Sequence, residues 1–249
     1  MKRGSIPIEA SELCGGRIPG AKQDVDLLYE LLASDLSGAW EAGEITILRN
    51  PSYNQIISAI AGLSSVAYGF ISYSGHGYHA EELDETKICT IENQGKPYWM
   101  SISQLVPRCS KYTLSIDCCR NVKTEYFAEA IERKAAASFS LIQRPPRYKY
   151  RQLFDSRVET AENGGTKMYS CNLNESAGET SRGGYFTRGL VKSAYDSEPS
   201  TNTNSLFLPM TGAFDTAYTY VQAKSPQQHP QFEPGRRNNY FPWAVYPSF

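Results

Sequence analysis

Apolar positions recur with two different periods along this chain, and their alternation sketches the fold. In residues 21–34 the apolar residues Val25, Leu28, Leu31 and Leu32 repeat at helical spacing. Residues 44–49 (EITILR) alternate as a strand does, Asn50-Pro51-Ser52 reads as a turn and helix start, and residues 53–63 fit a helix. Residues 66–73 and 112–116 are short runs rich in β-branched and aromatic residues, the pattern of strands buried on both faces. Between them, residues 88–91 and 98–100 flank Asn93-Gln94-Gly95 as a hairpin, and residues 101–106 form a short helix. Further along, residues 121–134, 185–195 and 206–223 read as helices, the last with Pro209 near its start. Residues 167–173 and the aromatic stretch 240–246 read as strands. Residues 4–10 (GSIPIEA) hold Pro7, which predicts a weak strand at an edge or with a distortion. Residues 138–165 combine two prolines, clustered Arg and Lys, and no clean period; they read as a long basic loop. Strand and helix alternate throughout, which argues for an α/β fold with a largely parallel sheet.

Composition narrows the function classes. The 249 residues are 41% hydrophobic and 20% charged, with a net charge of −1, so nothing recruits nucleic acid or an anionic membrane surface. No stretch of 18 apolar residues is present, and the start of the chain lacks the apolar core of a secretory signal, so the expected location is cytoplasmic. No repeat or composition shift divides the chain; residues 1–249 read as a single domain. The six cysteines, Cys14, Cys89, Cys109, Cys118, Cys119 and Cys171, contain no CxxC pair, which argues against a zinc ribbon or a thioredoxin-type site. In a reducing compartment most of them are expected as free thiols.

One histidine stands out. FISYSGHGYHA (70–80) places His76 between Gly75 and Gly77 at the end of an apolar strand. The strand at 112–116 runs into Asp117-Cys118-Cys119-Arg120. In open α/β sheets, sites form beyond the carboxyl ends of strands. If the two strands are neighbours, an imidazole and a thiol face each other, as a cysteine nucleophile and its base require. The Gly77 and Cys119 N–H groups would then be placed to stabilise an oxyanion, with glycine at 75 and 77 avoiding a clash with the substrate carbonyl. The remaining histidines carry weaker signals: His79 reads as a surface residue and His229, in Gln-His-Pro, as a packing or capping residue. A metal site from His76, His79 and Glu81 or Glu82 lacks a further ligand, so no cofactor is expected.

YSGHG (73–77) followed by a strand ending in Asp117-x-Cys119-Arg120 resembles the caspase-like cysteine peptidases, the clan of caspases, metacaspases and paracaspases. SAGE…GGYFTRGL (176–190) and QHPQFEPGRRNNYFPW (228–243) are similar to segments of bacterial members. The resemblance implies a three-layer α/β sandwich with a mostly parallel central sheet of about six strands and helices on both faces. It implies a Cys119–His76 dyad, because the family nucleophile lies two positions after the aspartate. It implies an acidic S1 pocket from Asp24, Asp117 and Glu179, with Ser74 a further pocket residue, and hence cleavage of protein substrates after Arg or Lys. The arginine that aspartate-cleaving caspases use matches Ile18 here; Arg17 lies one residue off. Residues 138–165 correspond to an intersubunit linker, where Arg144, Arg147, Lys149, Arg151 and Arg157 are candidate self-cleavage points. An activating protein partner and a role in bacterial defence or cell death follow from the resemblance alone. The sequence leaves calcium dependence open; it contains no EF-hand-like acidic loop. Two other classes stay open: an inactive caspase-fold binding module, and an acyl hydrolase using the same dyad on a non-peptide substrate.

Overall fold

The computed structural model describes residues 1–14, 16–92, 95–121, 144–199 and 206–248. The chain opens with β1 (Arg3–Ala10), α1 (Pro19–Ala33), β2 (Leu48–Arg49), α2 (Tyr53–Gly62) and β3 (Tyr68–Gly75). A small antiparallel sheet follows, made of β4 (Gly77–Ala80), β5 (Glu85–Ile91) and β6 (Pro97–Ser101). Then come β7 (Lys111–Asp117), α3 (Arg147–Thr160), β8 (Gly164–Tyr169), β9 (Glu179–Thr180), β10 (Gly183–Gly184) and α4 (Tyr185–Asp196). The chain closes with β11 (Leu206–Pro209), α5 (Met210–Lys224), β12 (Gln231–Glu233) and β13 (Pro242–Tyr246).

Six strands form the central sheet in the order β12-β8-β7-β3-β1-β2. Every neighbouring pair is parallel except β12 against β8. β3 shows why the apolar run is continuous: Tyr68 and Phe70 face one core while Ile71 and Tyr73 face the other. The first core lies under α1, α3, α4, α5 and β13, around Trp40, Phe154 and Trp243. The second lies under α2 and the β4–β6 sheet, around Ile56, Ile88 and Met100. The sheet is therefore covered on both faces, as the α/β reading requires.

The strand expected over 44–49 shrinks to Leu48–Arg49, the one expected over 167–173 shifts to Gly164–Tyr169, and three further elements differ in kind or place. β1 is an interior strand, not an edge: it pairs with β3 along its whole length and with β2 on the other side. Pro7 is tolerated because bonding groups alternate along a strand. The backbone of Ser5 and Glu9 faces the β2 side, accepting from Thr46 and Asn50, so Pro7 also faces that short, irregular side. The basic stretch is not one long loop, since Arg147–Thr160 is helix α3. Its inward stripe is Tyr150, Phe154 and Val158, at i, i+4 and i+8, and Pro146 precedes its first turn. Residues 206–209 form β11, paired with β13, before α5 begins at Met210. Of the expected helix over residues 121–134, all but Asn121 lies outside the described residues, as does the start of the linker, 138–143.

Cys14 and Cys89 form a disulfide, with their Cα atoms 6.2 Å apart, whereas Cys109, Cys118, Cys119 and Cys171 are free. Four of the six cysteines are thus free, as expected of most of them, and the bonded pair, 75 residues apart, matches no motif. The bond closes a long loop of the unfolded chain. The double variant Cys14→Ala/Cys89→Ala should lose about 2–4 kcal/mol of unfolding free energy, measured by urea denaturation without reductant.

Candidate active site

The register between β3 and β7 decides the site. Ser74 sits opposite Asp117 on these parallel neighbours, so His76 and Cys119 each follow two residues beyond the same paired position. The two candidate groups thus leave the same edge of the sheet from adjacent strands, as the spacing argument required. Gly77 abuts the loop that carries Cys118 and Cys119: a Cβ there would collide with the Cys118 side chain and lie 3.0 Å from the Cys119 carbonyl oxygen. At Gly75 a Cβ would lie 2.7 Å from both the Ala10 Cβ and the Tyr73 hydroxyl. Both glycines are therefore required by the protein's own packing, where the sequence reading had assigned them to substrate clearance.

His76 is buried and held at both ends. Its Nε2 lies 2.8 Å from the Gly16 carbonyl oxygen. A carbonyl only accepts, so Nε2 carries the proton and Nδ1 is the basic nitrogen of the neutral ring. The His76 carbonyl accepts from the Tyr73 hydroxyl at 2.8 Å and from the Cys89 N–H at 3.0 Å. Burial lowers the pKa of the imidazole, partly offset by the Gly16 contact. Nothing in the sequence marked Gly16, since a backbone carbonyl in an irregular loop leaves no side-chain signature.

The two adjacent cysteines divide cleanly. Cys118 is buried in the second core, and its N–H donates to Ser170 Oγ at 3.2 Å. Cys119 is partly exposed, and its Sγ accepts the Ala177 N–H at 3.4 Å. Burial raises the pKa of both thiols, and the Ala177 bond opposes the shift at Cys119. With the imidazole lowered and the thiol raised, the neutral thiol and neutral imidazole are favoured over a preformed ion pair.

Beside this pair three carboxylates converge. Asp24 falls on the buried stripe of α1 with Ala21, Val25 and Leu28; it is 1% exposed, not the solvent-facing helix acid that its type alone suggests. Its carboxylate accepts from Ser74 Oγ at 2.6 Å and from the Gly184 N–H at 2.8 Å. Asp117 accepts from the N–H and hydroxyl of Thr187, at 3.2 and 2.7 Å. A Cβ on Gly20, Gly183 or Gly184 would overlap the carboxylate of Glu179, Asp24 or Asp117 respectively, so these acids fill space that side chains would otherwise take. Burial, then repulsion from Asp117, holds the Asp24 carboxyl well above the ordinary carboxylate range. Burial likewise raises Asp117, against the Thr187 bonds. Neither Asp24 nor Asp117 forms a salt bridge with a basic side chain among the described residues. Thr187 and Gly184 join the site without a sequence signal: the packing of α4 and its preceding turn against α1 and the end of β7, which brings them to Asp24 and Asp117, is not visible in one dimension.

The remaining candidates sit elsewhere. Arg17 is exposed. His79 is buried rather than at the surface, with Nε2 3.5 Å from Asp84, because β4 carries it inward between β5 and the segment at Asn121; His229 Nδ1 bonds Glu175 at 2.7 Å. Among the described residues no group of three His, Cys, Asp or Glu side chains is placed to hold a metal ion. Arg147, Lys149, Arg151 and Arg157 all lie on α3, and Arg144 lies just before it. Arg147 pairs with Asp35 at 2.8 Å, Arg151 with Glu44 at 2.6 Å, and the Arg157 guanidinium covers Phe207.

A model of the caspase domain matches residues 15–241. The chain belongs to the caspase domain family. The crystal structure of caspase-1 from Spodoptera frugiperda superimposes with a TM-score of 0.57 at 12% identity, covering 93% of this chain and 87% of that one. At that identity the likeness speaks for the fold. No curated protein matches the sequence. The caspase-domain assignment makes this chain a caspase-like cysteine peptidase by family, and it agrees with the six-stranded, mostly parallel sheet and its covering helices. No described helix is long and apolar enough to cross a membrane.

Proposed function

We propose that this caspase domain is an endopeptidase that cleaves protein substrates after Arg or Lys, with Cys119 as nucleophile and His76 as base. The observation that carries the proposal is the burial of Asp24 and Asp117 next to the strand ends that bear the dyad. Two buried like charges with raised pKa values are costly unless a cation joins them. A guanidinium or ammonium at P1 supplies that cation and donates charge-assisted hydrogen bonds to both carboxylates, with Glu179 at the pocket wall.

The chemistry follows from the tautomer. His76 Nδ1 takes the proton of Cys119 Sγ as sulfur attacks the scissile carbonyl carbon. The Gly77 and Cys119 N–H groups receive the developing oxyanion. The imidazolium then protonates the leaving amine, and a water, deprotonated by His76, cleaves the thioester and restores the thiol.

The test is a peptide panel differing only at P1, with Arg, Lys, citrulline and Asp. Turnover of Arg and Lys alone supports the reading; turnover of Asp, or of a small thioester but no peptide, overturns it. The dyad has its own test. Iodoacetamide should label Cys119 of the free enzyme slowly at pH 6 and faster as pH passes the ordinary thiol range of about 8.5. Rapid labelling at pH 6 would mean a preformed thiolate.

Self-processing is confined by α3. Arg147, Lys149, Arg151 and Arg157 are in a helix, whereas a peptidase cleft binds extended backbone, so Arg144 is the strongest of the five candidates. An activating protein partner and a role in bacterial defence or cell death remain part of this proposal on the family resemblance, and a cytoplasmic location remains the expectation from the sequence.

A further inference from the structure

Gln228 lies outside the dyad and the S1 pocket, in the turn after α5, and is 1% exposed. Its carboxamide spans two backbone groups. Nε2 donates to the Ser170 carbonyl at 2.8 Å, and Oε1 accepts the Gly178 N–H at 2.9 Å. These groups stand at the two ends of the segment that leaves β8 and returns to the active site. Along that segment the Glu175 carbonyl accepts the Arg120 N–H, Ser176 Oγ accepts from Asn121, and the Ala177 N–H donates to Cys119 Sγ. Glu179 follows directly at the wall of the acid cluster. The neighbouring His229 adds a second hold, since its N–H and Nδ1 both bond the Glu175 carboxylate at 2.7 Å.

We infer that Gln228 is a positioning residue: its side-chain amide closes residues 170–178 into a fixed loop and so sets where Ala177 meets the nucleophile and where Glu179 meets the P1 side chain. A buried carboxamide satisfied at both ends is suited to this. It supplies one donor and one acceptor at a fixed separation, and its loss leaves a buried N–H and C=O without partners. The inference rests on the proposed peptidase function for its catalytic consequence, but the clamp itself can be read without turnover.

Gln228→Glu, which loses the donor, and Gln228→Met, which keeps the shape and loses both bonds, are compared with wild type. Gln222→Ala is the control: Gln222 Nε2 bonds the Gln228 carbonyl at 2.6 Å in the same turn but makes no hydrogen bond to Ser170 or Gly178 among the described residues. Amide hydrogen exchange over residues 172–179 reads the clamp, and the ratio of kcat/KM for Arg over citrulline peptides reads its consequence. The expected result is faster exchange in both Gln228 variants and a selectivity loss of roughly tenfold, mostly in KM, with Gln222→Ala near wild type. Unchanged exchange or unchanged selectivity in folded Gln228 variants overturns the inference, and so does an equal loss in Gln222→Ala. A wild type that turns over no peptide instead overturns the peptidase reading and with it the catalytic role of Gln228, while the exchange data still decide whether the residue holds the loop.

Discussion

Cys119→Ala should abolish cleavage of an Arg peptide, lowering kcat/KM by roughly 10⁴-fold or more, while Cys118→Ala stays within a few-fold of wild type. The contrast is the informative part, because the two thiols are adjacent and chemically identical. Their environments are not. Cys118 is packed into the core beneath Gly77, with its pKa pushed up by complete burial, so its thiol has neither access nor thiolate character. Cys119 is partly exposed and receives an N–H at its sulfur. Truncating Cys118 removes a small buried group and costs some stability, so thermal melts should accompany the assay. Loss of activity in both variants at matched melting temperature would show that the assignment rests on the wrong sulfur or on both.

How much of this was legible in the sequence depends on which physical signal each element carries. β3 and β7 were legible because strands buried on both faces need continuous apolar residues, and their ends were legible because glycine and Asp-Cys-Cys interrupt that run. That they are neighbours is a long-range fact; spacing allowed it, and the register Ser74 opposite Asp117 supplies it. β1 was undervalued because a proline in a strand is costly only where its N–H would be used, and the side it faces cannot be read from composition. α3 was hidden because its inward stripe is only three residues wide among arginines and lysines. Asp24 carried a usable signal: it lies three or four residues from Ala21 and Leu28, inside the apolar stripe of α1, where an unpaired acid is anomalous. Gly16 acts through a backbone carbonyl, and Thr187 and Gln228 act through contacts with residues distant in sequence, which no pattern of residue types reports.

The acid cluster makes the second large prediction, and it has opposite signs for stability and function. Asp24→Asn should lower kcat/KM for Arg peptides by about 10²- to 10³-fold, the scale expected when one partner of a buried charge pair is removed, and should leave a citrulline peptide as good a ligand as Arg. The same change should raise the melting temperature of the free protein. The Asp24 carboxyl is held above its unfolded value by burial and by Asp117. A raised carboxyl contributes stability below its unfolded pKa of about 3.9, and that contribution is lost as pH rises through the folded pKa. The ionised form therefore works against the fold, and Asn removes that cost, so the gain from Asn should grow as pH rises. A bound guanidinium reverses the argument, since it favours the ionised carboxylates and expels the proton. Binding of an Arg peptide to Cys119→Ala, followed by calorimetry in buffers of different ionisation enthalpy, should tighten as pH rises and release protons. The use of the nucleophile variant keeps His76 and Cys119 chemistry out of the measurement. Affinity that ignores pH, together with equal affinity for citrulline, would separate the acid cluster from P1 recognition and leave Asp24 and Asp117 as a strained structural pair joining α1 to β7.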